Sequence, residues 1–309
     1  MEGDFLPPWH YSVKEYSAMK KKKGRGTTAL LVIVFFAGLV LVLYPTVANY
    51  WNSMHQSKAI AHYSEVLADV SNEDYEKYLE EVRDYNRRIQ DRDNVYVLSD
   101  EERAEYEDLL NVADNGVMGY IEIPFIEVVL PIYHGTSDAV LQIAVGHLDW
   151  TSLPLGGVST HCVLSGHRGL PSAKLFTDLD KLMVGDVFMI RVLNEVVTYE
   201  VDQILIVEPS NIEPLQIVDG KDYCTLITCT PYGINTHRLL VRGRRIENAA
   251  QAVLVNVTAE AVQIEPLLVC AVMAVPALIL ILLISVFSRK KTVSNIRKEL
   301  YSTQPPQKT

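Results

Sequence analysis

Two long uncharged stretches, each bounded by a basic cluster, constrain this chain more than anything else in it. The first, "TTALLVIVFFAGLVLVLY", runs from Thr27 to Tyr44, and the second, "PLLVCAVMAVPALILILLISVF", from Pro266 to Phe287. About 20 apolar residues suffice to cross a bilayer as a helix, so each is expected to be a transmembrane helix. Pro45 and Pro276 do not argue against this, because membrane helices tolerate proline where neighbours satisfy the freed carbonyls. Lys20, Lys21, Lys22, Lys23 and Arg25 precede the first block, and Arg289, Lys290, Lys291, Arg297 and Lys298 follow the second. The positive-inside rule then puts both tails in the cytoplasm and everything between them outside. A secretory signal is the alternative for the first block, with Thr46-Val47-Ala48 as a weak cleavage site. The apolar block and the tail before it are both long for a signal, which favours an uncleaved anchor.

The charge balance agrees with that topology. Residues 51–265 carry 16 Lys and Arg against 34 Asp and Glu, whereas the two tails carry 12 against 4. An acidic outer segment excludes nucleic acid as a partner, since phosphate binding needs clustered Lys and Arg. The basic tails suit the anionic head groups of a lipid bilayer. Cysteine is sparse: Cys270 lies in the second apolar block, leaving Cys162, Cys224 and Cys229 outside. An odd number without a CxxC pair excludes a disulfide framework or a zinc knuckle and leaves at least one candidate free thiol.

Between the blocks the hydrophobic period changes once. Residues 52–92 place Tyr75, Tyr78, Leu79, Val82 and Tyr85 at helical spacing, which predicts one or two amphipathic helices. A further helix is expected over "SDEERAEYEDLLNV", with Ser99 as N-cap and Glu102 completing a capping box. From Val117 onward the runs "VMGYIEI", "IEVVLPI", "CVLSG", "VFMIRVL", "VVTYEVDQILIV", "CTLITC" and "RLLVRGRRI" are short and β-branched, separated by Gly, Pro, Asn and Asp. They predict an antiparallel-rich sheet or closed barrel. Two helical interruptions are expected, near Ala139 to Val145 and over "AKLFTDLDKL", Ala173 to Leu182.

Three segments carry chemistry. "SGHRG" puts His167 just past a strand end in a glycine-flanked turn; "TLITC" puts Cys229 at another strand end; "THRLLV" opens the next strand with Arg238. A free thiol with a pKa near 8.5 is mostly protonated at neutral pH, so a nucleophilic cysteine needs a cationic or basic neighbour. A histidine supplies that neighbour and can then protonate a leaving amine. An arginine keeps its proton, so its work would be electrostatic, toward substrate carbonyls or a developing oxyanion. His237 is nearer to Cys229 in sequence, but adjacent strand residues point to opposite faces, so it and Arg238 would not share a cleft. His134, His147 and His161 carry no assigned chemistry. Thr228 is a candidate donor to the substrate carbonyl, with local packing as the equal alternative.

"TLITC", with Arg238 nine residues after the cysteine and "LSGHRG" about sixty before it, closely resembles the sortase signature. "GVMGYIEIP", "LPIYHGTS", "GHLDWTSLPLGG", "GHRGLPSAKLFTDLDKL" and "TCTPYGINTHRLLVRG" are similar to class C, pilin-polymerising sortases in particular, over roughly residues 111–245. The resemblance implies a mainly β fold: a closed eight-stranded sortase-type barrel with short helices, preceded by amphipathic helices and flanked by the two transmembrane helices. It implies that Cys229, His167 and Arg238 meet in one cleft. It further implies cleavage of an LPxTG-like sorting signal on pilins or surface proteins, through a thioacyl intermediate resolved by a lysine of the next subunit. No cofactor and no metal are implied. If the strands pair as in sortases, Cys162 and Cys224 become neighbours, as a disulfide or, preferred here, a free buried pair.

The resulting partition is a cytoplasmic tail over 1–26, a span over 27–46, a helical region over 52–112, a catalytic barrel over 113–248, a linker over 249–265, a second span over 266–287 and a basic tail over 288–309. One departure stands out. Class C sortases usually carry an Asp-Pro-aromatic lid motif, which the corresponding stretch "QDRDNVYVLSDEE" lacks. Asp93 and Tyr96 are the candidate substitutes within a lid at about 91–100, with a flexible linker as the alternative. The competing functions are a housekeeping sortase that anchors surface proteins to a cell-wall precursor, and a non-catalytic membrane-tethered scaffold.

Overall fold

The computed structural model describes residues 13–90 and 97–248. The expected second span therefore lies outside the described residues. Helix α1 runs from Val13 to Ala68 without interruption, through Pro45. The first apolar block and the start of the helical region, expected as separate elements, are thus one continuous rod. It is long and apolar enough to cross a membrane. A break at Asp69–Ser71 leads into α2, Asn72–Gln90, whose Leu79, Val82, Tyr85 and Ile89 form the buried stripe that the helical spacing predicts. In α3, Asp100–Asp108, the capping box forms as expected, with the Glu102 amide donating to the Ser99 hydroxyl and the Ser99 amide to the Glu102 carboxylate.

Eight strands follow: β1 Val117–Ile123, β2 Val128–His134, β3 Val145–His147, β4 Thr160–Ser165, β5 Val187–Val192, β6 Glu195–Val207, β7 Asp222–Thr230 and β8 His237–Arg245. They close into a barrel in the order β1-β2-β3-β4-β7-β8-β6-β5. All neighbours are antiparallel except β2 with β3 and β4 with β7. Seven strands coincide with the β-branched runs. The eighth, β3, starts at Val145, the last residue of the stretch expected to be helical, where the helix formed is the short α4, Asp138–Leu141. The second expected helix is likewise a loop with one 3-10 turn at Leu179–Lys181. Its backbone is committed elsewhere: the Phe176 amide donates to the His167 carbonyl and Ala173 bridges Leu170.

Strand alternation sorts the side chains between two apolar clusters. Cys162 and Leu164 of β4, Cys224 and Leu226 of β7, and Leu239 and Val241 of β8 enter the main core inside the barrel. Val163, Ile227 and Leu240, one residue out of phase, pack with Leu215 on the outer face. The helices are fastened to the barrel by polar groups with little exposure. Tyr63 of α1 donates its hydroxyl to the Met118 carbonyl of β1 and accepts the Leu193 amide after β5, at 3.0 and 2.8 Å. Asn86 of α2 exchanges both amide groups with the backbone of Leu153.

An unmade buried hydrogen bond costs about 1–3 kcal/mol. Tyr63→Phe orphans the Leu193 amide and the Met118 carbonyl together, so it should lower the unfolding free energy by about 2–4 kcal/mol. Denaturant titration measures that loss, and faster hydrogen exchange at the Leu193 amide locates it.

Candidate active site

Strand β4 runs parallel to β7 in unbroken register from Thr160 opposite Asp222 to Ser165 opposite Ile227. The Gly166 amide then donates to the Ile227 carbonyl, so the two chains are still side by side where β4 ends. His167 follows directly after this bond, in the turn that leaves the end of β4. On the other side of β7, Arg238 of β8 is the direct partner of Cys229. Directly opposed residues share a face of the sheet. Alternation therefore puts Cys229 and Arg238 on the outer face, beyond the floor formed by Val163, Ile227 and Leu240, at the rim where β4 ends and the His167 turn begins. All three residues are half-buried.

The turn after β4 is held in place by close packing. A Cβ on Gly166 would lie 2.7 Å from the Phe176 ring, so only glycine fits there. Gly169, with φ of +74°, sits equally tightly under the Tyr232 ring. Thr228 faces inward, 2% exposed, and donates its hydroxyl to the Gly166 carbonyl at 2.8 Å. Of the two roles expected for Thr228, this is the local one: the hydroxyl proton ties the histidine turn to β7. Arg238 directs Nη1 to the carbonyls of Asn235 and His237, at 3.3 and 3.1 Å, and among the described residues it pairs with no carboxylate. His237 opposes Thr230 and shares a hydrogen bond with Thr236, on the face away from Cys229. Asp93 and Tyr96 lie outside the described residues.

Arg168 and Tyr232 carry a role that motif reading left unassigned. Arg168, next to the histidine, pairs with Asp180 and places its guanidinium 5.7 Å from the centre of the Tyr232 ring. Tyr232 lies three residues past Cys229, so this contact joins the two turns that bear the histidine and the thiol. The signal was present as an arginine directly following the histidine, but nothing in one dimension pairs it with a tyrosine some sixty residues away.

His161 and His147 hold the barrel together through their ring nitrogens. His161 is fully satisfied when neutral: Nδ1–H donates to the Gln216 carbonyl at 2.8 Å and Nε2 accepts from the Thr225 hydroxyl at 2.7 Å. His147 takes the Tyr106 hydroxyl on one nitrogen and the Ser152 carbonyl on the other. Cys162 and Cys224 are directly opposed in β4 and β7, buried and unbridged. Burial raises the Cys224 thiol well above its ordinary pKa, which leaves it inert as a nucleophile. No cluster of metal ligands occurs among the described residues.

A closed β-barrel that brings a half-buried thiol, an imidazole turn and a guanidinium to one rim defines a candidate cysteine acyl-transfer site. Residues 121–246 match the sortase domain family. Sortase C1 from Streptococcus agalactiae is 51% identical, with a TM-score of 0.61, over 62% of this chain and all of that one. Clostridium perfringens sortase C, solved with the C-terminal cell wall sorting motif, is 44% identical with a TM-score of 0.54, over 62% of this chain and all of that one. Sortase A of Streptococcus agalactiae serotype III (strain NEM316) is 28% identical over 208 residues, 65% of this chain and 77% of that protein. The chain belongs to the sortase family, cysteine transpeptidases of the cell surface, and its structural neighbours are of class C.

Burial holds the His161 imidazole down to about 4. Its ordinary pKa is about 6.5, so the unfolded chain takes up a proton that the folded one refuses. Stability is fully present above about pH 6.5 and falls as the pH drops toward 4, by roughly 3 kcal/mol for this group. Denaturation midpoints measured between pH 7.5 and 4.5 should fall, and His161→Gln should flatten the slope; an equally steep slope in that variant would count against the assignment.

Proposed function

We propose that the protein polymerises pilin subunits at the outer surface of a membrane. In this reading Cys229 is the nucleophile, His167 its proton partner and Arg238 the electrostatic stabiliser. The observation that carries it is the strand register, which sets Arg238 opposite Cys229 on one face and ends β4, just before the His167 turn, at the same rim, although His167 and Cys229 are distant in sequence. The class C neighbours support the pilin assignment, and the solved complex of one of them with a cell wall sorting motif supports a sorting signal as donor.

The Cys229 thiolate attacks the threonine carbonyl of an LPxTG-like signal. The carbon–sulfur bond forms as the Thr–Gly bond breaks, and the leaving glycine amine takes its proton from His167. A lysine amine of the next subunit then attacks the thioester, loses a proton to the imidazole and restores the thiolate. The product is an isopeptide bond, with no net oxidation. Arg238, its Nη1 held only by backbone carbonyls, has donors left for the developing oxyanion. The chain would be anchored at both ends, with α1 as the first span, residues 266–287 as the second, and both termini cytoplasmic.

Mass spectrometry of the protein incubated with a pilin-tail peptide should show a thioacyl adduct that maps to Cys229 and is absent in Cys229→Ala. Removing one preorganised oxyanion donor costs about 10²- to 10³-fold in kcat, so Arg238→Ala should fall in that range with binding little changed. An adduct in Cys229→Ala would overturn the nucleophile, and transfer to a cell-wall precursor amine in place of a pilin lysine would favour the anchoring function instead.

A further inference from the structure

We infer that the cleft-bearing rim of the barrel rests on the lipid surface, with the apolar side chains around the cleft inserted into the interfacial layer of the outer leaflet. This rests on α1 being a membrane span.

The strand directions define the rim. β4, β7, β6 and β1 end there, and β8, β5, β2 and β3 begin there, as the eight pairings require. Helix α1 contacts the barrel in a graded way. Its Asn49 accepts the Lys174 amide and its Asn52 donates to the Ser172 carbonyl, both in the loop that follows His167. Gln56 donates to the Ile143 carbonyl, just before β3. Tyr63, farther along, meets Met118 and Leu193 at the opposite rim. The cleft rim is thus the end of the barrel nearer the apolar part of the helix.

Helix geometry sets the height. A span of about 20 residues starting at Thr27 ends near Thr46. At about 1.5 Å per residue, Asn49 lies about 5 Å and Asn52 about 9 Å beyond that point. The polar layer of one leaflet is roughly 5–7 Å thick. The Lys174 end of the loop after His167 is therefore held at head-group height and Ser172 just above it, beside Tyr50 and Trp51, both of which are exposed on the helix where an aromatic belt belongs.

The surface of the same rim supplies a second, independent observation. Phe125, Ile143, Met183, Val184, Tyr232 and Ile234 are all large, apolar and 43–68% exposed, and all sit in connections at this rim. The opposite rim exposes Val158 and Val218. Lys174 and Lys181 at the cleft rim pair with Asp178, and Arg168 with Asp180, so these three cations are neutralised within the protein and the exposed apolar side chains are left to make the membrane contact. Attachment is accordingly independent of anionic lipid.

Spin-label accessibility in the full chain tests this. Single cysteines are placed in a C229A/C270A background, with Cys162 and Cys224 left buried, and the protein is reconstituted in phosphatidylcholine vesicles with and without phosphatidylglycerol. Labels at V184C and I234C should be several-fold less accessible to a water-soluble nickel relaxant than a label at V158C, in both lipids, and correspondingly more accessible to oxygen. L41C, in the apolar part of α1, reports the span itself. Shielding at L41C with V184C and I234C as water-accessible as V158C would overturn the rim contact alone. Water access at L41C would overturn the membrane reading of α1 and the inference with it. Shielding of the rim only when phosphatidylglycerol is present would overturn the apolar contact as its cause.

Discussion

The parallel pairing of β4 with β7 is the constraint on which the candidate site of this molecule depends. Parallel neighbours finish at the same rim, whereas antiparallel neighbours would place the histidine turn and the cysteine at opposite ends of the barrel. Parallel pairing cannot be closed by a tight turn, and here residues 166–221 make the crossover, contributing β5 and β6 to the far wall of the barrel on the way. The β7–β8 hairpin then needs only a short exposed turn to bring Arg238 back beside Cys229. Two chain segments that are distant in sequence are aligned by backbone hydrogen bonds alone, before any side chain in the cleft has to find a partner.

What the ladder begins, a few buried contacts complete. Gly166 hands its amide to β7 and receives the Thr228 hydroxyl at its carbonyl, so the residue before the histidine is bound on both sides. The Phe176 ring presses on Gly166 while its amide closes on the His167 carbonyl, and Leu175, with φ of +39°, departs from helical backbone, so the following segment is a strap and not a helix. The same logic fixes the accessory helices, where Tyr63 and Asn86 trade hydrogen bonds with barrel backbone that would otherwise be buried and unpaired.

Much of this was legible in one dimension because period-2 patterning and turn residues are local. Seven of the eight strands, the capping box at Ser99 and the buried stripe of α2 follow from residues within a few positions of one another. The failures are the elements whose conformation is decided from outside. β3 is three residues long and exists because β2 and β4 flank it. The strap at 173–182 has helical composition but tertiary obligations. α1 continues through Pro45 and past the apolar block because the barrel surface supports its upper half, which sequence composition does not reveal. Alternation alone would have settled Thr228, since a residue adjacent to an outward cysteine on a strand must point inward.

Cys224 and Cys229 show how much chemistry that alternation controls. Both are on β7, five residues apart, an odd number, so one enters the barrel and the other leaves it. Cys224 is fully enclosed among apolar side chains, and burial raises its thiol so that the reactive anion is suppressed. Cys229 stands half-buried on the outer face, opposite an arginine whose positive charge no carboxylate among the described residues cancels. An insertion of one residue between them would exchange the two environments at the end of the strand and turn the outer thiol into the core. The contrast between the two cysteines is thus geometric before it is chemical: position in the ladder decides which sulfur reaches the surface beside a positive charge and which fills the core.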